Sequence, residues 1–567
     1  MKVVIVGGVA GGASAAARLR RLDEKAEIII LERSGFISYA NCGLPYYIGE
    51  VITDKNALTL QTPQSFQDRF RVDVRVRNEV TSIDTKNKTV LVTRLEDGSS
   101  YTQSYDRLIL SPGAKPIRPN IPGINNNNIL SIRTVEDTLK IHTYIKTIHP
   151  KKAVIVGGGF IGLEMAENLT VLGIETVLLE GSNQLLPPLD YDMACEVHAY
   201  LRNNGIQLKL NSLVTGFYEK NGKIFTELKD GNSVSSDFII LAIGVAPDTQ
   251  LAQDAGLTLG SKNAISVNEH MQTSDPNIYA VGDAVEVSHF VSGQKALIAL
   301  AGPANKQGRI AANNICGIES SFKGSQGTSV VKLFDMTVAS TGLNEKQLQS
   351  LGIDYDKVLN FSLSHATYYP GARNLTIKTL FSPTDGEILG AQIVGFGGVD
   401  KRIDVLATAI RGGMTSSDLE ELELAYAPPF SSAKDPVNMV GFTIENIRGG
   451  LVKQYHWHDI ENLQKDSSAL FLDVRTDVEY AKGSIPNTLH IPLHKLRNRL
   501  NELDPNKKIY VNCQSGLRSY IACRILSQNG FECFNLSGGY RFYEVIRGEN
   551  KYNYSPAYAC GVEIIKK

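Results

Sequence analysis

The sequence predicts an α/β protein: two similar halves built on parallel sheets, then a compact α+β unit, then a further small α/β unit. Two observations carry the prediction. A strand, a glycine cluster, a helix, a second strand and an acid succeed one another over residues 2–32, and the same order returns over residues 153–180. Beyond residue 328 the glycine signature is gone, while strands and helices continue to alternate. The length agrees, since 567 residues at about 150 per domain make three to four domains.

The first element is the strand KVVIV at residues 2–6. GGVAGG follows at Gly7 to Gly12, then an Ala-rich helix with Arg18, Arg20 and Arg21, then the strand EIIIL ending at Glu32. Glycines at such a turn let the backbone approach a pyrophosphate at a helix N-terminus, where free N–H groups and the dipole favour anions. Glu32 is placed to accept hydrogen bonds from a ribose diol. The register has one departure, Val9 standing where G-x-G-x-x-G has its second glycine. In the second half AVIV leads into GGGFIG, where Gly157, Gly159 and Gly162 satisfy the full pattern; a helix runs to about Leu172, and the strand ETVLL ends before Glu180. The offset is 150 between the glycines and 148 between the acids. Each half also closes alike, with LILSPGAKP ending at Pro116 and ILAIGVAP at Pro247. This is an internal repeat of two Rossmann-like dinucleotide-binding domains. An acid at Glu180, where a phosphate reader would carry Arg, argues for NADH over NADPH. A short strand over Ile278 to Val281 ends in Gly282-Asp283, which places Asp283 on a polyol hydroxyl of a bound cofactor.

From 328 to 443 the strands TSVVKLF, LTIKTLF and EILGAQIV, with helices near 344–351 and 400–411, form an α+β unit without a nucleotide motif. Residues 444–458 lose periodicity around Arg448-Gly449-Gly450 and are expected to be a linker. The last unit, 459–567, has strands at LFLDV and KIYVN.

Composition narrows the function. Lys+Arg 58 against Asp+Glu 59 leaves a net charge of −1, which gives no basis for a nucleic-acid or membrane-surface partner. Seven cysteines in 567 residues are too sparse for a disulfide scaffold and suit a reducing compartment. No apolar run reaches the length of a membrane span, and MKVVIVGG lacks the apolar core and cleavage site of a signal peptide. A cytoplasmic protein is expected, with no metal site.

Two cysteines stand in chemical contexts. Cys42, in SYANCGLPY, follows the first βαβ unit on a Pro-terminated turn beside Asn41 and Gly43. No second Cys follows five residues on, so a redox role requires a disulfide with something outside the loop, or a sulfenic acid. Cys513 opens the loop CQSGLR between the strand KIYVN and a helix starting near Arg518. Consecutive loop N–H groups at a helix N-terminus are expected to stabilise an anion there and to lower a thiol's pKa. A phosphatase loop carries five residues between Cys and Arg; here there are four. Cys195, Cys316, Cys523, Cys533 and Cys560 lack such contexts and are expected to be structural. Ser14, Arg18 and Arg21, spaced 4 and 3, share one helix face and make a candidate anion site.

With GGVAGGASAA, SYANCGLPY, TSDPNIYAVGDA, HATYYPG, DKRIDVLATA and LAYAPPFSSAKD, the chain over residues 1–445 resembles the coenzyme A-disulfide reductases of the flavoprotein disulfide reductase superfamily. Residues 460–548 resemble a single rhodanese domain, with Asp473, Arg475, Glu479, the Cys513 loop and Gly538-Gly539. The resemblance implies a discontinuous FAD-binding domain (1–115 and 248–327), an NAD(P)H-binding domain (116–247), an α+β dimerisation domain (328–443) that forms a homodimer, and a rhodanese domain (459–567) whose Cys513, with Arg518, carries sulfane sulfur. It implies a mixed disulfide between Cys42 and coenzyme A, with Tyr368 and Tyr426 supplied by the partner subunit. Implied FAD contacts are Gly7, Ala10, Gly12, Glu32, Arg33, Asn41, Cys42, Val80, Gly113, Gly282, Asp283, Leu300, Ala301 and Tyr426. Implied NAD contacts are Gly157, Gly159, Phe160, Ile161, Gly162, Glu164, Glu180 and Gly244. Implied coenzyme A contacts are Ser14, Arg18, Arg21, Ser38, Asn41, Asn305 and Lys434.

The activity this implies is NADH-dependent reduction of coenzyme A disulfide, coenzyme A persulfide or polysulfide. NADH oxidases and peroxidases share the scaffold and use a lone Cys as sulfenic acid; the peroxidases carry a His where this chain has Ala10. A sulfur carrier or redox sensor is the alternative from another class.

Overall fold

A computed structural model describes residues 1–549. It divides into two compact units, Met1–Asn183 with Ile206–Gly327, and Gln184–Gly205 with Thr328–Lys567.

The first unit holds the repeat. Lys2–Val6 is the centre of a parallel sheet, flanked by Glu27–Glu32 and Arg107–Leu110, with Asp73–Val76 and Ile278–Ala280 at the edges. Val3, Val4 and Ile5 are fully buried, as a strand covered on both faces requires. Lys152–Val156 takes the same place in a second parallel sheet, between Glu175–Leu179 and Phe238–Leu241, with Gln207–Lys209 and Ile129–Leu130 outside. The register repeats as well. Lys2 lies opposite Glu27 and Lys152 opposite Glu175, and both pairs close as ion pairs, at 3.4 and 2.7 Å. Each half adds a three-stranded antiparallel meander, Asn78–Asp84 to Ser100–Ser104 in one and Val214–Lys220 to Ser233–Ser236 in the other. The two similar closing segments pair with each other: Ala114–Pro116 runs antiparallel to Val245–Pro247.

The second unit begins with a five-stranded antiparallel sheet in the order Ser329–Leu333, Met336–Gly342, Ile388–Gly395, Asn374–Phe381, Asp356–Leu363. Its strands Asn374–Phe381 and Ile388–Gly395 are buried along their whole length, and the helix Val399–Gly412 packs on Met336–Gly342 and Ile388–Gly395. A parallel five-stranded sheet follows, ordered Lys453–Tyr455, Cys533–Leu536, Lys508–Asn512, Ala469–Asp473, Thr488–His490.

Two sequence expectations need correction. The segment 184–205 was expected within the second nucleotide domain, but it packs in the second unit. The cause is a buried ion cluster: Lys378, with no exposed surface, bonds Asp192 at 2.7 Å, Asp190 at 3.0 Å and Glu345. Burial works against a charged Lys378, yet the three carboxylates hold its pKa above the ordinary value. Glu345 is held at about 2 against its own burial. These acids have the spacing of a cation site, but the Lys378 ammonium already sits among them.

The expected linker 444–458 is also mostly structured. The helix Pro436–Arg448 continues through it, ended by the glycines at 449 and 450, and Lys453–Tyr455 is already a strand of the last sheet, leaving 449–452 as the connection. The last sheet is fastened to the preceding one. Gln454 Nε2 donates to Asp356 Oδ1 and to the Lys357 carbonyl at 3.0 and 2.7 Å, and Arg541 lies 5.0 Å over the Phe361 ring. Glu549 accepts from Arg202 at 2.7 Å. Cys560 lies outside the described residues.

Candidate functional site

The first unit carries two glycine cradles of like geometry. Gly7 has φ +95°, and a Cβ there would lie 2.1 Å from the Ser111 carbonyl oxygen; one on Gly12 would lie 2.0 Å from the Gly7 oxygen. In the second cradle a Cβ on Gly157 (φ +111°) would lie 2.3 Å from the Ala242 oxygen, and one on Gly162 would lie 2.0 Å from the Gly157 oxygen. Only glycine meets both demands. Glu32 Oε2 accepts from Gly8 N at 2.8 Å and Oε1 from Ser34 N at 2.8 Å; Glu180 does the same to Gly158 and Ser182, at 2.8 and 2.8 Å. Each acid therefore fixes its glycine turn and keeps lone pairs for a diol. Burial pushes the Glu32 carboxyl up. The Val9 departure has a steric explanation, since a side chain added at its counterpart, Gly159, would meet nothing within 4 Å.

Each cradle opens on a helix N-terminus, Ala10–Leu22 and Phe160–Val171, so the chain offers two anion sites of the shape a dinucleotide pyrophosphate needs. Phe160, Ile161 and Glu164 stand in the opening turns of the second helix. Gly244 takes φ +114° immediately before the strand Val245–Pro247. Around the first cradle, Gly282 N donates to Gln307 at 2.7 Å, Leu300 and Ala301 begin the helix Ala301–Ile315, Val80 lies in the meander strand Asn78–Asp84, and Arg33 pairs with Asp248 at 2.8 Å.

Cys42 lies in the 3-10 turn Asn41–Gly43, which runs into the helix Leu44–Ile48. It is exposed. Arg133 braces the region. It pairs with Asp283 at 2.9 Å and donates to the Ala114 carbonyl at 3.0 Å. With the Asn41 amide in its hydrogen-bonding orientation, Asn41 gives to the Arg133 carbonyl and takes from Arg133 Nη1, each at 3.0 Å. The Arg133 guanidinium also comes within 3.1 Å of where a Gly113 Cβ would stand. Sequence reasoning missed Arg133: it belongs to no spaced motif, and it joins three segments distant in sequence. Crowding by protein atoms, then Glu164 and Asp283, pushes the Cys42 thiol up, and Arg133 opposes them.

A cavity brings together Ser14, Arg18, Arg21, Ser38 and Asn305, with Arg309 added and Phe66 in its wall. Ser14 Oγ donates to Asn305 at 2.6 Å and Arg18 to Asn313 at 2.8 Å. None of the three arginines pairs with a carboxylate among the described residues, so their charge is available to an anion. Burial, then Arg309 and Arg21, lowers the pKa of Arg18. Arg309 was legible in principle, standing four residues after Asn305 on one helix.

In the second unit, Tyr368 and Tyr426 are exposed and joined hydroxyl to hydroxyl at 2.6 Å, which raises the Tyr368 pKa. Exposed Phe430 and Lys434 stand in the same Tyr426-containing segment.

Cys513 follows the strand Lys508–Asn512 and is fully buried. Its sulfur accepts from Gly516 N at 3.1 Å and from Ser519 Oγ at 3.2 Å. Gly516, at φ +102°, caps the helix Leu517–Gln528. The loop is clamped from behind: Tyr540 N donates to the Cys513 carbonyl at 2.7 Å, and a Cβ on Gly539 would lie 2.7 Å from that oxygen. Arg518 meets Glu479 through two bonds, both 2.7 Å. Burial opposes ionisation of Glu479, but Arg518 and Thr476 hold its carboxyl at about 2. Ser519, one residue past the loop, was not singled out in the sequence. Cys195, Cys523 and Cys533 are buried and Cys316 partly so, none of them in a disulfide.

A family model described as pyridine nucleotide-disulphide oxidoreductase matches residues 1–308, one for that family's dimerisation domain matches 328–436, and one for a rhodanese-like domain matches 457–544. Curated relatives include the coenzyme A disulfide reductases of Staphylococcus haemolyticus, 36% identical over 447 residues (79% of this chain, 100% of that protein), and of Staphylococcus aureus, 38% identical over 443 residues (78% and 99%). Among solved structures, reduced Bacillus anthracis CoADR-RHD superposes with a TM-score of 0.95 at 49% identity, covering 97% of this chain and 98% of that one. An NAD-dependent persulfide reductase from A. fulgidus gives a TM-score of 0.90 at 37% identity, covering 96% and 100%.

Proposed function

We propose a specific reaction for this chain, which belongs to the pyridine nucleotide-disulphide oxidoreductase family, whose members use FAD and NAD(P)H: it reduces coenzyme A disulfide or persulfide with NADH at Cys42, and its rhodanese domain supplies sulfane sulfur from Cys513. One observation carries the reading. Exposed Cys42 shares the first unit with two dinucleotide cradles and with a cavity whose arginines pair with no carboxylate among the described residues.

The cradles fit the cofactors: Gly7, Gly12, Gly157 and Gly162 let each turn close tightly on its own backbone, which presents the free N–H groups of the following helix N-terminus to a pyrophosphate. Bound FAD supplies two-electron redox chemistry between the nicotinamide and sulfur. Glu180, kept ready to accept from a ribose diol, disfavours a 2′-phosphate and supports NADH. Arg18, Arg21 and Arg309 hold the phosphates of coenzyme A. The Cys42 thiolate attacks one sulfur of the substrate's S–S bond. That bond breaks, a coenzyme A thiolate (or hydrosulfide) leaves, and Cys42 is left in a mixed disulfide that two electrons and a proton then open. Tyr368 and Tyr426, from the partner subunit of a homodimer, hydrogen-bond the departing sulfur. At the second site Cys513 takes a sulfane sulfur as a persulfide and passes it to the coenzyme A thiol, regenerating its own thiolate. No described helix is long and apolar enough to cross a membrane, in keeping with the proposed cytoplasmic location.

The test is anaerobic NADH oxidation with coenzyme A disulfide, coenzyme A persulfide and polysulfide side by side. Turnover with the coenzyme A species supports the reading. NADH consumption that needs oxygen and no sulfur substrate replaces it with an oxidase.

A further inference from the structure

Cys42 is tied to the second nucleotide half by a side-chain route that the reaction above leaves unused. Tyr46 follows Cys42 by four residues along a continuous helical stretch, so the two side chains share a face. The Tyr46 hydroxyl points to Glu164 Oε1 at 3.5 Å. Glu164 belongs to the helix Phe160–Val171 that opens the second cradle. The two helices are closely seated: a Cβ on Gly49, which ends the short helix, would lie 1.9 Å from Asn168 Oδ1, and Asn168 Nδ2 donates back to the Glu164 carbonyl at 2.7 Å. The distance between Glu164 and the Cys42 turn is therefore fixed by backbone packing.

The charges around the sulfur single out Glu164. Asp283 and Arg133 both face Cys42, but they pair with each other at 2.9 Å, and their fields largely cancel. Glu164 forms no ion pair among the described residues. His142 and Lys146, on the helix Val135–Ile148, meet Glu50 at the opposite end of the Leu44–Ile48 helix. Glu167, one turn from Glu164, adds negative charge on the same helix.

We propose that Glu164, held by Tyr46, is a positioning residue that sets the charge of the Cys42 sulfur: neutral Glu164 favours the thiolate and ionised Glu164 favours the thiol. Burial raises the Glu164 carboxyl to about 7, so the group changes charge near neutrality. A proton on Glu164 thus accompanies the sulfur's negative charge, and passing that proton to the sulfur leaves Glu164 ionised and Cys42 as the thiol. This rests on Cys42 as the reacting sulfur, but the test reads the thiol itself and not turnover.

The experiment follows the rate at which iodoacetamide alkylates Cys42 in the full-length, FAD-loaded protein from pH 5 to pH 10 (about five units), read on the Cys42 peptide by mass spectrometry. The unaltered protein should give a profile broader than one proton, with more thiolate on the acid side than a single titration allows. Glu164→Gln should lower the midpoint by about one pH unit and sharpen the profile. Glu164→Asp, which keeps the charge, should keep the broad profile. A one-proton profile in the unaltered protein overturns the proposal, as does a Gln midpoint equal to the original or an Asp midpoint displaced as far as that of Gln. Should Glu164→Gln fail to fold, the unaltered profile still decides. Loss of turnover at Cys42→Ser tests the function separately, so the two ideas fail apart.

Discussion

Cys42 and Cys513, the two sulfur nucleophiles of the proposed reaction, both lie in loops that run into helices, yet the chain treats them in opposite ways. Cys42 is exposed, on a 3-10 turn, with two carboxylates facing it and one guanidinium. Cys513 is fully buried and receives a loop N–H and a hydroxyl, with an arginine–glutamate pair beside its loop. The difference matches the two tasks proposed for them. A sulfur that must be approached by a bulky disulfide has to be open, and its charge has to be withheld until needed. A sulfur that only stores one further atom is best enclosed, with donors already aimed at its anion.

The largest expected effect comes from removing the open sulfur. Cys42→Ser should keep FAD and NADH-dependent bleaching of the flavin but lose disulfide and persulfide turnover on the order of 10^4-fold or more; near-normal steady-state rates would erase the contrast. Cys513→Ser should abolish NADH oxidation fed by thiosulfate or polysulfide through coenzyme A, while reduction of preformed coenzyme A disulfide stays within about twofold. If every sulfur substrate is used as before, the enclosed sulfur takes no part. Tyr426→Phe should slow turnover about 10^2-fold, the cost of losing one donor to a developing anion. Exchanging its subunits with Cys42→Ser protomers should restore part of the rate, and proven heterodimers without recovery would show that the open site is not shared. Arg309→Ala should raise the KM for coenzyme A substrates about tenfold with little change in kcat, from the loss of one charge-assisted bond.

Acid separates the two sites more gently. Glu479 is held at about 2 in the folded chain against an ordinary 4.5. Its stabilising pairing with Arg518 is complete above the ordinary value and drains away as pH falls toward 2. Circular dichroism of the full chain should therefore show a loss of stability over that window, smaller in Glu479→Gln. The Cys42 thiol is raised instead, so its pH dependence lies on the alkaline side.

Much of this was legible in the sequence because it is local. Within each half the glycine turn, the strand periods and the acid (Glu32 or Glu180) sit within a few dozen residues of one another, and their repetition supplied the two-half architecture. The pairing of Tyr368 with Tyr426 came from the family resemblance, not from any spacing. What escaped was long-range and polar. Arg133 gains its meaning from Asn41, Ala114 and Asp283, which no periodicity connects to it. The affiliation of 184–205 rests on Lys378, nearly two hundred residues downstream, whose burial is intelligible only once three carboxylates surround it. The linker was misread because glycines at 449 and 450 mark a helix end, not the middle of a loose segment.

The antiparallel pairing of Ala114–Pro116 with Val245–Pro247 also says something about how such a chain can be assembled. Pro116 lies opposite Val245, so everything between them is an excursion that departs and returns through one doorway about 5 Å wide. A stretch with neighbouring ends can be copied, lengthened or exchanged without displacing the host that surrounds it. Here the excursion also serves the rest of the chain, because 184–205 packs in the second unit: a short bridge from 116 to 245 would close the first sheet over the gap and leave buried Lys378 without Asp190 and Asp192.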